Sequence, residues 1–144
     1  LSSPACTPGA LSVGAVYDSD MGPLNWSICS DSSTAADKVT CFSNTASYLS
    51  GYAPGAQITA AGVTFSGTSQ AAPHVAGAVA ALKAAFPADT PGETTNRLVS
   101  AGVPLTDSRP QVAITKPRLD LKAIFPPPPN DAFVDRVTLS ATSG

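Results

Sequence analysis

A candidate nucleophile, Ser69, stands in the run Gly67-Thr68-Ser69-Gln70-Ala71-Ala72-Pro73-His74-Val75-Ala76-Gly77, between a small-residue turn and the start of a helix. The first N–H groups of a helix have no intrahelical partner, so they can hold negative charge as it develops on a substrate oxygen. A serine placed there suits attack on a carbonyl. The only histidine, His74, follows five positions later. On a helix that offset points it away from Ser69 into the packed body, so His74 reads as a hydrogen-bonded packing residue and not as the general base. A lipase-type elbow would need Gly-x-Ser-x-Gly with a later acid and histidine. Here Ala71 replaces the second glycine and no histidine follows His74, which excludes that class.

The elements that must hold Ser69 can be parsed from spacing and turn residues. Residues 69–86 are dominated by Ala, eight of eighteen, with Val75, Val79 and Leu82 at helical intervals and Pro73 tolerated in the first turn. Gly77 inside this helix implies a backbone packed closely against it, and small residues on nearly every face predict a central, buried helix. Residues 10–17 read as a buried strand and residues 18–23 as a turn. Residues 26–29 and 39–42 are predicted as short strands. After an Ala53-Pro54-Gly55 turn, residues 55–60 form a further strand, and Val63-Thr64-Phe65 leads into the serine turn. Pro87 ends the long helix. Thr90-Pro91-Gly92-Glu93 is a capping box for a second helix running to about Ser100 and stopped by Gly102. Segments 112–115 and 119–124 close the domain. Strands alternating with helices predict an α/β layered fold with a mostly parallel sheet.

Composition narrows the class. The chain has 144 residues, of which 12% are charged, below the roughly 25% of ordinary soluble domains. A formal charge of -2 offers no electrostatic footprint for nucleic acid or an anionic membrane, so neither is expected as a partner. No apolar run approaches the roughly 20 residues of a membrane span. The sequence opens at Leu1 without an initiator Met or a basic-then-apolar leader, so an export signal would be removed or lie outside this segment.

Cys29 and Cys41 flank a polar loop and have no close Cys or His companion of the kind a zinc site needs. A disulfide is the favoured reading, with buried free thiols the other. Closing so short a loop contributes about 3 kcal/mol in the chain-entropy model. A disulfide, with Cys6 left over, points to a secreted protein in which Cys6 either pairs outside this chain or is a buried free thiol. Phe125 gives way to four consecutive prolines, so residues 1–125 form the main domain and 126–130 a semi-rigid linker. Residues 131–144 begin a further module or tail, too short for a core of its own.

With the Gly-Thr-Ser turn and its Pro-His-Val-Ala-Gly continuation in view, the chain resembles the subtilisin-like serine peptidases. Ser12-Val13-Gly14-Ala15-Val16, Phe42-Ser43-Asn44, Ala53-Pro54-Gly55 and Thr115-Lys116-Pro117-Arg118-Leu119-Asp120 are similar to family segments and occur in the family's order. The resemblance covers about residues 1–125 and corresponds to the C-terminal half of a peptidase domain. It implies that Ser69 attacks the scissile carbonyl, that its backbone N–H helps bind the oxyanion, and that Gly67 and Thr68 shape the turn. It also places the triad His and Asp and the oxyanion amide on an upstream half, which becomes the expected partner together with a peptide substrate. Alone, this chain is then expected to be inactive. The alternative is a pseudopeptidase or cleaved fragment acting as a binding or inhibitory module.

Two departures from the family pattern carry chemistry. Gln70 occupies a position that is often Met, and it cannot form a sulfoxide. Some relatives bind calcium near the Ala-Pro-Gly turn, but Tyr48, Leu49 and Ser50 supply no carboxylate here. Asp18, Asp20, Asp31 and Asp37 are better read as scattered loop carboxylates than as a calcium site. No metal ligand set and no cofactor is therefore assigned to this chain, calcium remaining an option for the intact parent.

Overall fold

A computed structural model describes residues 3–109 and 112–125; the predicted linker and tail lie outside the described residues. The fold is α/β, as the alternation of strands and helices predicts. A four-stranded sheet has the order β1-β4-β8-β7, built from β1 (Val13–Val16), β4 (Gly51–Pro54), β8 (Thr115–Arg118) and β7 (Val103–Thr106). β1 and β8 both run parallel to β4, and β7 alone is antiparallel, so the sheet is mostly parallel. Two small hairpins stand apart from it: β2 (Leu24–Asn25) with β3 (Ser30–Asp31), and β5 (Ile58–Ala60) with β6 (Val63–Phe65). Helices α1 (Thr68–Ala85) and α2 (Pro91–Ala101) follow one another and pack on the sheet and on each other.

Several elements differ from the sequence expectation, each for a local reason. The Ala53-Pro54-Gly55 segment is not simply a turn, because its first residues close the central strand β4. Pro54 is tolerated there since it is the last strand residue, and the next ladder bond comes from the Gly55 N–H to the Val16 carbonyl at 3.0 Å. Residues 26–29 are the connection between β2 and β3 rather than a strand, and from 39–42 only Val39 makes a bridge, to Val16. Strand β7 is absent from the sequence expectation because Pro104 interrupts it. Its partner across the ladder is Pro117, so the two residues without N–H groups face each other at a pair that exchanges no hydrogen bonds between β7 and β8. β8 begins at Thr115, the residue at which the expected 112–115 strand ends.

Helix α1 also departs from expectation. Ala71, Ala78 and Leu82 are buried against the sheet and α2, but Ala72, Ala76, Gly77, Ala80 and Ala81 are exposed. A Cβ added at Gly77 would meet nothing within 4 Å, so the close backbone neighbour predicted for it is not among the described residues. The capping box of α2 forms as predicted. The Glu93 N–H donates to Thr90 Oγ1 at 3.3 Å, and the Thr90 N–H donates to Glu93 Oε2 at 2.8 Å. The latter bond favours the charged carboxylate and lowers the Glu93 pKa.

The core is assembled in three adjoining clusters. Val16, Val39, Leu49, Tyr52 and Leu105 fill one side of the sheet, and Ala78, Leu82 and Leu98 join the two helices. Between them, Ala15, Ala53 and Ala71 bring α1 into close contact with β1 and β4. Small side chains are required there because a Cβ on Gly55 would stand 2.7 Å from Ala15 Cβ and 2.8 Å from the Gly67 carbonyl oxygen. Replacing Gly55 with Ala is expected to destabilise the fold by about 2 kcal/mol or more through overpacking against backbone. Urea unfolding checks this, with Gly92→Ala, where no atom lies within 4 Å, as a control expected to be neutral or mildly stabilising.

Candidate active site

Ser69 is the second residue of α1 and is exposed to solvent. The turn before it hangs from the sheet by one short bond, from the Gly67 N–H to the Gly55 carbonyl at 2.7 Å. Gly67 is the N-cap, with φ 155° and ψ 167°, a backbone region open in practice only to glycine. Its carbonyl accepts the Gln70 N–H at 3.0 Å and the Ala71 N–H at 3.3 Å, closing the first turn. No side chain caps the helix, so the N–H groups of Thr68 and Ser69 are left to other partners. The predicted residues Gly67, Thr68 and Ser69 therefore share one turn at a helix N-terminus.

His74 lies one turn further along α1. Its Nδ1 is 2.8 Å from the Gln70 carbonyl oxygen, four residues back, and the ring is half-buried. That bond ties the imidazole to its own helix backbone, but the ring is not packed into the body as expected: it lines an open groove with Ile58, Val63, Phe65 and Pro73.

A cleft of about 290 Å³ opens beside the serine turn, lined by Trp26, Ser27, Ile28 and Phe42 on one side and by Ser66, Gly67, Thr68 and Ser69 on the other. Sequence reasoning did not place Trp26 or Ile28 near Ser69, since some forty residues separate them. The paired cysteines tie the Ile28 segment to the Phe42 segment but do not point to Ser69. The predicted disulfide is present, joining Cys29 to Cys41 with Cα atoms 6.1 Å apart. Cys29 follows Ile28 and Cys41 precedes Phe42, so one covalent bond ties together the two segments that form the outer wall. Cys6 is free and exposed, which corrects the buried-thiol reading of it.

Hydrogen bonds fix this wall further. Asp31, nearly buried, accepts from the Tyr17 hydroxyl at 2.7 Å and from the Cys41 N–H at 2.8 Å. The Tyr17 oxygen in turn accepts from the Trp26 indole N–H at 3.2 Å, and the indole packs edge-on against Phe42 with ring centroids 4.9 Å apart. From the other side, Arg109 pairs with the fully buried Asp107 and donates to the carbonyls of Thr40, Cys41 and Ser43 at 3.2, 3.2 and 2.6 Å. Those three carbonyls bracket Phe42. Of the other loop carboxylates, Asp37 pairs with Arg118, Asp20 accepts from Thr34 and from the Gly22 N–H, and the exposed Asp18 accepts from the neighbouring Ser19 hydroxyl. Among the described residues no group of three or more potential metal ligands comes together, and no helix is long and apolar enough to cross a membrane.

The parallel sheet, the serine at the start of α1 and the turn feeding it describe part of a peptidase-like α/β domain. Residues 1–116 match the subtilase family, peptidase S8, and the chain belongs to that family. It is 35% identical over 120 residues to the subtilisin-like serine protease Pen ch 13 of Penicillium rubens. It is equally similar to the subtilisin-like serine protease EN45_076310 of Penicillium chrysogenum. Each match covers 80% of this chain and 26% of the relative, so the chain spans about a quarter of the length of these proteins.

Tyr17 makes the wall sensitive to alkali. Burial, followed by the bond to Asp31, raises its pKa from 10.0 to about 12. The folded state thus holds the proton that the unfolded chain releases first. The stabilisation is complete below pH 10 and is lost as pH rises from about 10 through about 12. The stability advantage of the wild type over Tyr17→Phe is expected to shrink across that window in urea titrations at stepped pH; an advantage that stays constant there would contradict the assignment.

Proposed function

We propose that this chain is the nucleophile-bearing part of a secreted serine endopeptidase. The observation that carries this reading is the exposed Ser69 at the start of α1, in a turn built by Gly55 and Gly67, within a chain of the subtilase family. In the reaction, Ser69 Oγ attacks the scissile carbonyl of an extended peptide, and the N–H groups at the helix start stabilise the oxyanion. Gly67 and Thr68 set the turn that aims both. The histidine base, its carboxylate and the second oxyanion donor come from an upstream segment of the same domain. In subtilisin itself, the type case of this triad chemistry, loss of triad members removes nearly all activity. These 144 residues alone are then inert.

The surface of the chain supports such a partner segment. The exposed small residues of α1 adjoin a groove lined by Ile58, Val63, Phe65, Pro73 and His74, in which Val63 and Phe65 are 53% and 61% exposed. Large apolar side chains beside an alanine-rich helix face suit burial against another part of the domain. The disulfide fits an oxidising, extracellular setting. No metal or cofactor enters the proposed chemistry.

The test is active-site labelling. In the full-length protein a fluorophosphonate is expected to modify Ser69, found by peptide mass spectrometry, and Ser69→Ala should abolish both adduct and peptide hydrolysis. The 144-residue chain by itself is expected to give no adduct. Labelling absent from the full-length protein would instead favour the pseudopeptidase alternative. A further outcome follows from Gln70: the intact enzyme is expected to keep its activity in mild peroxide, because the residue after the nucleophile has no sulfur to oxidise; rapid peroxide inactivation would count against this.

A further inference from the structure

We infer that Trp26 and Ile28 form the outer wall of a substrate side-chain subsite beside Ser69, one that accepts an uncharged apolar residue and is held in shape by the Cys29–Cys41 disulfide. This rests on the serine peptidase reading above and adds a specificity determinant to it.

The cleft argues for its occupant by its chemistry. Its lining comprises the apolar groups of Trp26, Ile28 and Phe42 and the small neutral residues Ser27, Ser66, Gly67, Thr68 and Ser69, with no charged side chain. Its volume, about 290 Å³, falls at the lower limit of ligand clefts, which start near roughly 300 Å³. That suits one side chain of a peptide more than a separate ligand. Ser69 lies on its rim, so an occupant belongs to a residue close to the bond under attack. Ile28 is 77% exposed, the most exposed large aliphatic residue described, and it stands at the mouth of this cleft. Nothing in the described chain covers it.

Rigidity makes the cleft a selector rather than an adaptable surface. Trp26 is oriented from three directions: by its indole bond to Tyr17, by its edge contact with Phe42, and by its backbone N–H to the Cys29 carbonyl at 2.8 Å. The disulfide fixes the residue after Ile28 to the residue before Phe42. Arg109 anchors the Phe42 segment to the body. A wall with so few alternative arrangements discriminates by shape and polarity, and an apolar pocket separates side chains by factors of roughly 10 to 200.

The experiment compares kcat/KM for paired peptides in the full-length protein, scanning each position on both sides of the scissile bond with Leu or Phe against Ser or Asn. The ratio within a pair cancels any general change in activity. The wild type is expected to favour the apolar member at one position, and Trp26→Ala to reduce that ratio about 10-fold. Ile28→Asp, at an exposed site that does not threaten folding, is expected to move the preference at the same position toward Lys or Arg. Ratios unchanged in both variants, or no apolar preference at any position in the wild type, would overturn the subsite while leaving the peptidase reading intact. Failure of the wild-type Ser69 to react with a fluorophosphonate, with no peptide cleaved, would overturn both.

Discussion

The close approach at Gly55 is the constraint on which the serine turn depends. Its N–H continues the ladder to Val16, its carbonyl receives the Gly67 N–H, and the space where a Cβ would stand is already taken by Ala15 and Ala71. Sheet, turn and helix therefore meet at a point where only hydrogen and backbone fit. The alanines of β1, β4 and α1 follow from that geometry, since larger side chains would separate the helix from the strands and lift the 2.7 Å bond that holds the turn. Placement of Ser69 is in this sense a property of the core.

A second network, independent of the first, fixes what faces the serine. Asp31 and Arg109 each gather the segment around Cys41 and Phe42, one through a carboxylate that accepts an N–H, the other through a guanidinium that donates to three carbonyls. Both charged groups are removed from water at least in part, and each is matched by an opposite charge: Asp31 by Lys38 at 3.5 Å, Arg109 by Asp107. Breaking such a pair leaves an uncompensated charge and typically costs about 3–5 kcal/mol when buried. The disulfide adds a covalent link to a segment that already has polar reasons to stay in place.

Much of this was legible in the sequence, and the exceptions share a cause. The α2 capping box, the end of α1 near Pro87 and the serine turn were readable because each depends on residues a few positions apart, Thr90 with Glu93 or Gly67 with Ser69. Strands β4 and β7 were not, because Pro54 and Pro104 signal turns locally and are tolerated only by virtue of partners far along the chain. The exposure of α1 was also missed. Its alanines and Gly77 carry the composition of a buried helix, but burial is decided by neighbours, and on that face none lies among the described residues. The wall of the cleft was invisible for the same reason: Trp26 and Ile28 reach Ser69 only through the folded loop.

The facing prolines of β7 and β8 bear on how the molecule behaves in a crowded solution. In an antiparallel ladder, directly opposed residues either exchange both hydrogen bonds or point those groups outward, and two prolines can occupy only the outward kind of pair. The position at which β7 would offer a donor to an approaching strand is thus occupied by a ring nitrogen that has no hydrogen. An outer strand of four residues with its row of donors interrupted is a poor template for edge-to-edge association. Among the described residues, the proline that hides this strand in the sequence also makes its outer edge a poorer template for another strand.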